Sequence, residues 1–168
     1  DSQVPGLPGL DRLGRLGRAC AFYNDAFRGE RLQKSLRQVT HLKESFVPVQ
    51  AVAIGVRMNG SIVEAPIRRS LEWLSGAHLP VMLTGVEVSG SSPTGAAINL
   101  ETALRSMFSN PSVHGIWFAG CFADELNNPD AALLDSAGEA TLAGAVFDNL
   151  VRKNWWTDTR EQTDGLGN

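Results

Sequence analysis

The chain has 168 residues, 43% apolar and 20% charged, with a formal charge of −3; that is enough for one core and marks an ordinary globular composition. The acidic balance, with a pI near 5.6, argues against nucleic acid as a partner, because phosphate binding needs clustered Lys and Arg. No apolar run approaches the ~20 residues that cross a bilayer.

Residues 1–17 are expected to form a linker or partial helix, since Gly9 to Gly17 repeats Leu and Arg with glycines that weaken a helix by ~1 kcal/mol each. From Arg18 onward, short apolar runs alternate with stretches of helical period, which predicts β/α units around a parallel sheet. The first strand is Ala19 to Tyr23, followed by a helix whose face carries Leu32, Leu36, Val39 and Leu42. The second strand is Val49 to Val56; its helix begins near Pro66, whose fixed φ suits a first turn, and carries Ile67, Leu71 and Leu74. The third strand, Leu79 to Thr84, leads through the turn-rich loop Ser89 to Gly95 into a helix from Ala97 to Phe108, with Leu100, Ala103, Leu104 and Met107 inward. The fourth strand, Val113 to Phe118, is followed by a polar loop and a helix from Glu139 to Asn154 with Leu142, Val146, Leu150 and Val151 as its apolar face. The polar tail 157–168 reads as an exit segment toward a following domain. Four parallel units leave two strand edges open, and open edges invite pairing. Further chain is therefore expected to cover them, with a four-stranded open α/β domain as the structural alternative.

Cys20 and Cys121 are too few for a disulfide scaffold and lack metal-ligand spacing; buried thiols are expected, a disulfide being the alternative. The N-terminus shows no signal-peptide pattern. The sequon Asn59-Gly60-Ser61 fits a secreted glycoprotein, whereas Asn110-Pro111-Ser112 is excluded by its proline. His41, His78 and His114 have no metal-triad spacing and are read as structural. Trp73, Trp117, Trp155 and Trp156 are read as core or edge-packing residues rather than a sugar platform. No cofactor or metal is expected.

Several blocks resemble the second half of the family-10 glycoside hydrolases, the endo-β-1,4-xylanases, particularly their plant and algal branch. Phe22-Tyr23-Asn24-Asp25 is similar to the family's fifth-strand block, and Ala53-Ile54-Gly55-Val56-Arg57-Met58-Asn59 to its sixth. Leu79-Pro80-Val81-Met82-Leu83-Thr84-Gly85-Val86-Glu87-Val88-Ser89 is similar to the seventh, usually Leu-Pro-Ile-Trp-Leu-Thr-Glu-Leu-Asp-Val-Ser. Asn110-Pro111-Ser112-Val113-His114-Gly115-Ile116 is similar to the eighth-strand entry, and Gly144 to Val151 to the final helix. The resemblance implies an α/β fold made of strands 5 to 8 of a (β/α)8 barrel, spanning residues 18–156 and closed by the rest of the polypeptide or another chain. It also implies an extracellular, glycosidase-like module that meets polysaccharide or glycan.

Retaining hydrolysis uses two carboxyl groups ~5–5.5 Å apart, a nucleophile and an acid/base. The resemblance places the acid/base upstream of this chain and the nucleophile at Gly85, which has no side chain with which to attack. Glu87, two residues on, is a weak surrogate, and a sugar-binding or structural carboxylate is the preferred reading. Asn59 stands where the family has a His beside the reactive sugar, and Arg57 where it has a Gln. Ala119 and Phe122 stand at positions of sugar-stacking Trp. Asn24, Arg57, Asn59 and Glu87 are thus the candidate sugar-contacting residues, with a strand-end role for Asn24 and Asp25 equally open. Asp124-Glu125 reads as a solvated loop. The resulting expectation is a glycosidase-like module without hydrolytic activity. The alternatives are an active hydrolase or transglycosidase using another carboxylate, and an unrelated open α/β binding domain.

Overall fold

The computed structural model describes residues 20–24 and 27–156, with side chains from Phe27 onward. The predicted linker at 1–17 and exit segment at 157–168 lie outside the described residues. Strands β1 (Cys20–Asn24), β2 (Val49–Met58), β3 (Val81–Val88) and β4 (Val113–Phe118) alternate with helices α1 (Gly29–Glu44), α2 (Glu64–Ser75), α3 (Pro93–Phe108) and α4 (Leu142–Phe147). All three strand pairings are parallel and the order is β1-β2-β3-β4. Sequential parallel strands joined by helical crossovers of one hand carry all their helices on one side of the sheet. A single apolar cluster, shared by β2, β3 and all four helices, fills that side.

The period of two along each strand decides which residues enter this core. Val52, Ile54, Val56 and Met58 of β2, with Val81, Leu83, Val86 and Val88 of β3, are buried against the helices. Leu32 and Val39, Ile67, Leu71 and Leu74, and Leu100, Ala103, Leu104 and Met107 meet them from α1, α2 and α3. Each such aliphatic side chain contributes roughly 1.5–3 kcal/mol by leaving water.

The helix boundaries follow local chemistry. Ser92 caps α3 by accepting a hydrogen bond from the Gly95 amide at 3.1 Å, with Pro93 in the first turn, so α3 begins four residues before the expected Ala97. The last helix differs more. It begins at Leu142, where Thr141 Oγ1 accepts from the Gly144 amide, and not at Glu139. Leu142 is 53% exposed, contrary to its expected place on the apolar face, and Ala143 and Gly144 are buried instead. The reason is close approach: a Cβ at Gly144 would overlap the Leu133 carbonyl, so small residues and not Leu142 face the core here. Residues Asp148–Asn154 then widen into a π-helical turn. Its i, i+5 spacing brings Trp155 N to Leu150 O at 2.9 Å and Lys153 Nζ to Asp148 at 2.8 Å.

Beside the outer edge of β4 lies an apolar groove of 450 Å³, lined by residues including Phe108, Ile116, Phe118, Phe147, Val151 and Trp155. Phe108 and Trp155 stack with ring centroids 4.1 Å apart. Trp155 and Trp73 pack against the core as expected. Trp156, 70% exposed, and Trp117, 41% exposed, do not. Trp156 follows the last helical turn, and Trp117 projects from the face of β4 that no described helix covers.

Candidate functional site

Parallel α/β sheets and barrels place their ligand sites at the C-terminal ends of the strands, where the β/α loops converge. Arg57 lies at that end of β2, Gly85 and Glu87 at that end of β3, and Trp117 at that end of β4.

The approach to the site is shaped by a bulge. Gly55 and Arg57 of β2 pair with Thr84 and Glu87 of β3, and Leu83 and Val86 of β3 pair with Ile116 and Phe118 of β4. Between these pairs β3 therefore carries one residue more than either neighbour. Gly85 sits in the bulge with φ +54°, a left-handed conformation that glycine adopts without the steric penalty of a Cβ. The extra residue resets the alternation, so that Val86 and Val88 enter the core and Glu87 lies opposite them, beside Arg57. Strand β3 consequently runs to Val88 instead of ending at Thr84. A simple two-residue period from Gly85 to Glu87 does not describe this segment. Nothing lies within 4 Å of a Cβ built at Gly85.

Glu87 is the most enclosed charged group at this rim: its side chain is 13% exposed and lies 3.7 Å from the Arg57 guanidinium, which is itself 77% exposed. The carboxylate is thus held on the sheet while the arginine reaches toward solvent. Thr84, on the same face, has a buried Oγ1 without a hydrogen-bond partner among the described residues. Trp117 folds its ring over Gly115, where it and Met82 would meet any added Cβ.

One residue that holds the rim together escaped the sequence reading. Asn99 of α3 is buried; its amide nitrogen donates to the carbonyls of Gly60 and Ser89, and its Oδ1 accepts from the Ile62 amide at 3.2 Å. Ser89 N donates in turn to Met58 O at 2.9 Å. Asn99 therefore ties the loop after β2 to the end of β3. The available signal was a polar residue set among Ala96, Leu100 and Ala103 on an apolar helix face.

The remaining candidates separate. Asn24 closes β1 in register with Ile54; its side chain and the whole of Asp25 lie outside the described residues. Asn59 is exposed, one residue beyond β2. Ala119 and Phe122 are exposed in the loop after β4. Glu125 is exposed but not merely solvated, since its Oε2 accepts from the Cys121 and Phe122 amides at 2.9 and 3.2 Å and fixes the loop's first turn. Cys121 is exposed, not a buried thiol, because it has left the apolar strand and its carbonyl is occupied by the Leu133 and Leu134 amides. His41 lies on α1, His78 in the loop between α2 and β3, and His114 on β4, and no metal-holding cluster of His, Cys, Asp or Glu occurs among the described residues. A second depression, of 530 Å³, runs along Lys34, Arg37 and His41 of α1, away from the strand ends. No helix among the described residues is long and apolar enough to cross a membrane.

No protein-family model matches the chain. In sequence it is 29% identical over 131 residues to the anti-sigma-I factor RsgI6 of Acetivibrio thermocellus, covering 77% of this chain and 17% of that protein. It is 28% identical over 123 residues to endo-1,4-beta-xylanase 3 of Arabidopsis thaliana, covering 73% of this chain and 16% of that protein. In structure it matches xylanase 10B of Thermotoga petrophila, solved with xylobiose, at a TM-score of 0.68 and 18% identity, over 79% of this chain and 46% of that one. It also matches the intracellular xylanase of Thermoanaerobacterium saccharolyticum at a TM-score of 0.64 and 20% identity, over 75% of this chain and 42% of that one. The chain spans about a sixth of the curated relatives and under half of the solved barrels. Over its described β/α units it has the fold of family-10 xylanases and resembles them in sequence.

Proposed function

We propose that residues 18–156 are strands 5 to 8 of a glycosidase-like (β/α)8 barrel, a module that meets β-linked polysaccharide or glycan without hydrolysing it. Residues 1–17 then lead into the half barrel, and 157–168 lead out toward a following domain. The missing strands come from the rest of the same polypeptide or from another chain. Support for closure comes from the apolar groove beside β4 and from the face of the sheet that no described helix covers, where Thr84 Oγ1 is buried without a partner among the described residues. We place the protein outside the cell, in keeping with its sequon and its resemblance to polysaccharide-acting enzymes.

The observation that carries the loss of hydrolysis is Gly85. The position matched to the nucleophile has no side chain, and its φ of +54° disfavours any residue that has one. Glu87 does not replace it: its carboxylate is engaged by Arg57, which suits a group that orients a sugar hydroxyl more than one that attacks carbon. Asn24, Arg57 and Glu87 are the proposed sugar contacts, with Trp117 as an additional apolar surface. No cofactor enters this reading.

The test is reducing-sugar release from xylan by the intact parent protein, with binding to the same polymer measured in parallel. Retention of the polymer with no release above a matched blank is expected. Hydrolysis that disappears in Glu87→Gln would instead establish an active enzyme with a displaced carboxylate.

A further inference from the structure

We propose that Asn59 is an N-glycan acceptor and that its glycan shields the Arg57–Glu87 pair. The inference rests on the extracellular placement proposed above and not on the loss of hydrolysis. Asn59 is exposed, Gly60 follows with φ +73°, and Ser61 is exposed. The turn is anchored from beneath, because Asn99 takes the Gly60 carbonyl and the Ile62 amide. That set of hydrogen bonds uses the backbone of the turn and leaves the Asn59 and Ser61 side chains outside it. The contrast with the other Asn-X-Ser triplet is sharp. Asn110 has proline in the middle position, and its Oδ1 accepts from the Ser112 amide at 2.9 Å and from the Ser75 hydroxyl at 3.2 Å.

The acceptor motif needs a hydroxyl two residues after the asparagine and no proline between. Both conditions are met at residues 59–61 alone of these two triplets. In the transfer, the Asn59 amide nitrogen forms a bond to the anomeric carbon of a lipid-linked oligosaccharide diphosphate. The bond from that carbon to the phosphate oxygen breaks, the lipid diphosphate leaves, and the amide nitrogen gives up one proton. The product stem rises two residues from Arg57, on the rim where β2 and β3 end in register at Met58 and Val88. A branched oligosaccharide there covers the exposed guanidinium and narrows access to Glu87.

The intact protein from its own cells is digested with trypsin, which releases Met58–Arg68, and the peptide is analysed by mass spectrometry. Treatment with peptide-N-glycosidase in oxygen-18 water is expected to yield an oxygen-18-labelled aspartate at Asn59. The glycopeptide is expected to vanish in Ser61→Ala and to persist in Ser61→Thr. Recovery of Met58–Arg68 entirely unmodified overturns the proposal. Shielding is read separately, by labelling the folded protein with an arginine-specific dicarbonyl. Labelling of Arg57 is expected to rise after enzymatic removal of the glycan, and equal labelling before and after overturns the shielding claim. Neither readout uses xylan, so the outcome at Asn59 is distinguishable from the outcome of the polymer test; a glycan that shields this pair would weaken the polymer contacts proposed for Arg57 and Glu87.

Discussion

The two faces of the sheet are built on opposite principles. On the helix side, β2 and β3 present Val52, Ile54, Val56, Val81, Leu83 and Val86, all buried. On the other side the same strands present Ala51, Ala53, Gly55, Met82 and Thr84, none fully buried, then Arg57 and Glu87 at the rim. Over β2 and β3 the first face is covered by the described helices. The second has small side chains, a buried hydroxyl without a partner among the described residues and a Trp117 ring laid over a glycine. Stability in the chain resides on one face, and proposed recognition on the other.

The largest expected effect is on the helix side. Leu83→Ala should lower unfolding free energy by about 2–5 kcal/mol, as buried leucine truncations do, whereas Met82→Ala one residue earlier should cost about 1 kcal/mol or less in the chain alone. Urea unfolding of both variants measures the contrast, and equal losses would show that the faces are not distinct. Asn99→Ala comes next: it strands two carbonyls and one amide, at about 1–3 kcal/mol, and amide exchange at Ile62 should accelerate with it. Gly85→Glu should cost about 1–2 kcal/mol through its left-handed backbone and restore no turnover on an aryl xyloside. Thr84→Val should leave the melting temperature unchanged or raise it, because it removes an unpaired buried hydroxyl without changing shape; a clear fall would reveal a partner for Thr84.

The smallest effect concerns acid. The Lys153 hydrogen bond holds the Asp148 carboxyl below its ordinary value; desolvation opposes it, and the charges of Lys153 and Arg152 add to the lowering. A depressed folded-state pKa contributes stability above the unfolded value and loses it as pH falls through the folded one. Asp148→Asn should therefore leave a slightly flatter stability profile below about pH 4, measured by thermal melts across that range.

The helix side was legible in the sequence because its rules are periodic. Ile67, Leu71 and Leu74, and Leu100, Ala103, Leu104 and Met107, were placed inward by spacing alone and are buried; β4 falls on its expected residues. The resemblance to family-10 xylanases was carried by short blocks in order, and fold comparison bears it out. What periodicity missed has local causes. The bulge at Gly85 adds one residue to β3, which no alternation pattern announces. Leu142 fails as a core residue because Gly144 brings the helix against the Leu133 backbone. Asn99 was passed over because its role lies in contacts made across 37 and 39 residues of chain, and Cys121 because an apolar sequence neighbourhood does not bury a loop. Gly85 itself was visible only through comparison with a motif, since a glycine in a strand has several structural uses.

The central claim is that no carboxylate of this protein attacks an anomeric carbon from the end of β3. Incubating the intact parent with an activated 2-deoxy-2-fluoro-xylobioside, which accumulates the covalent intermediate of retaining enzymes, tests it directly by intact-protein mass. The account predicts an unchanged mass and no labelled peptide from residues 81–89. A glycosyl ester on Glu87 would contradict it.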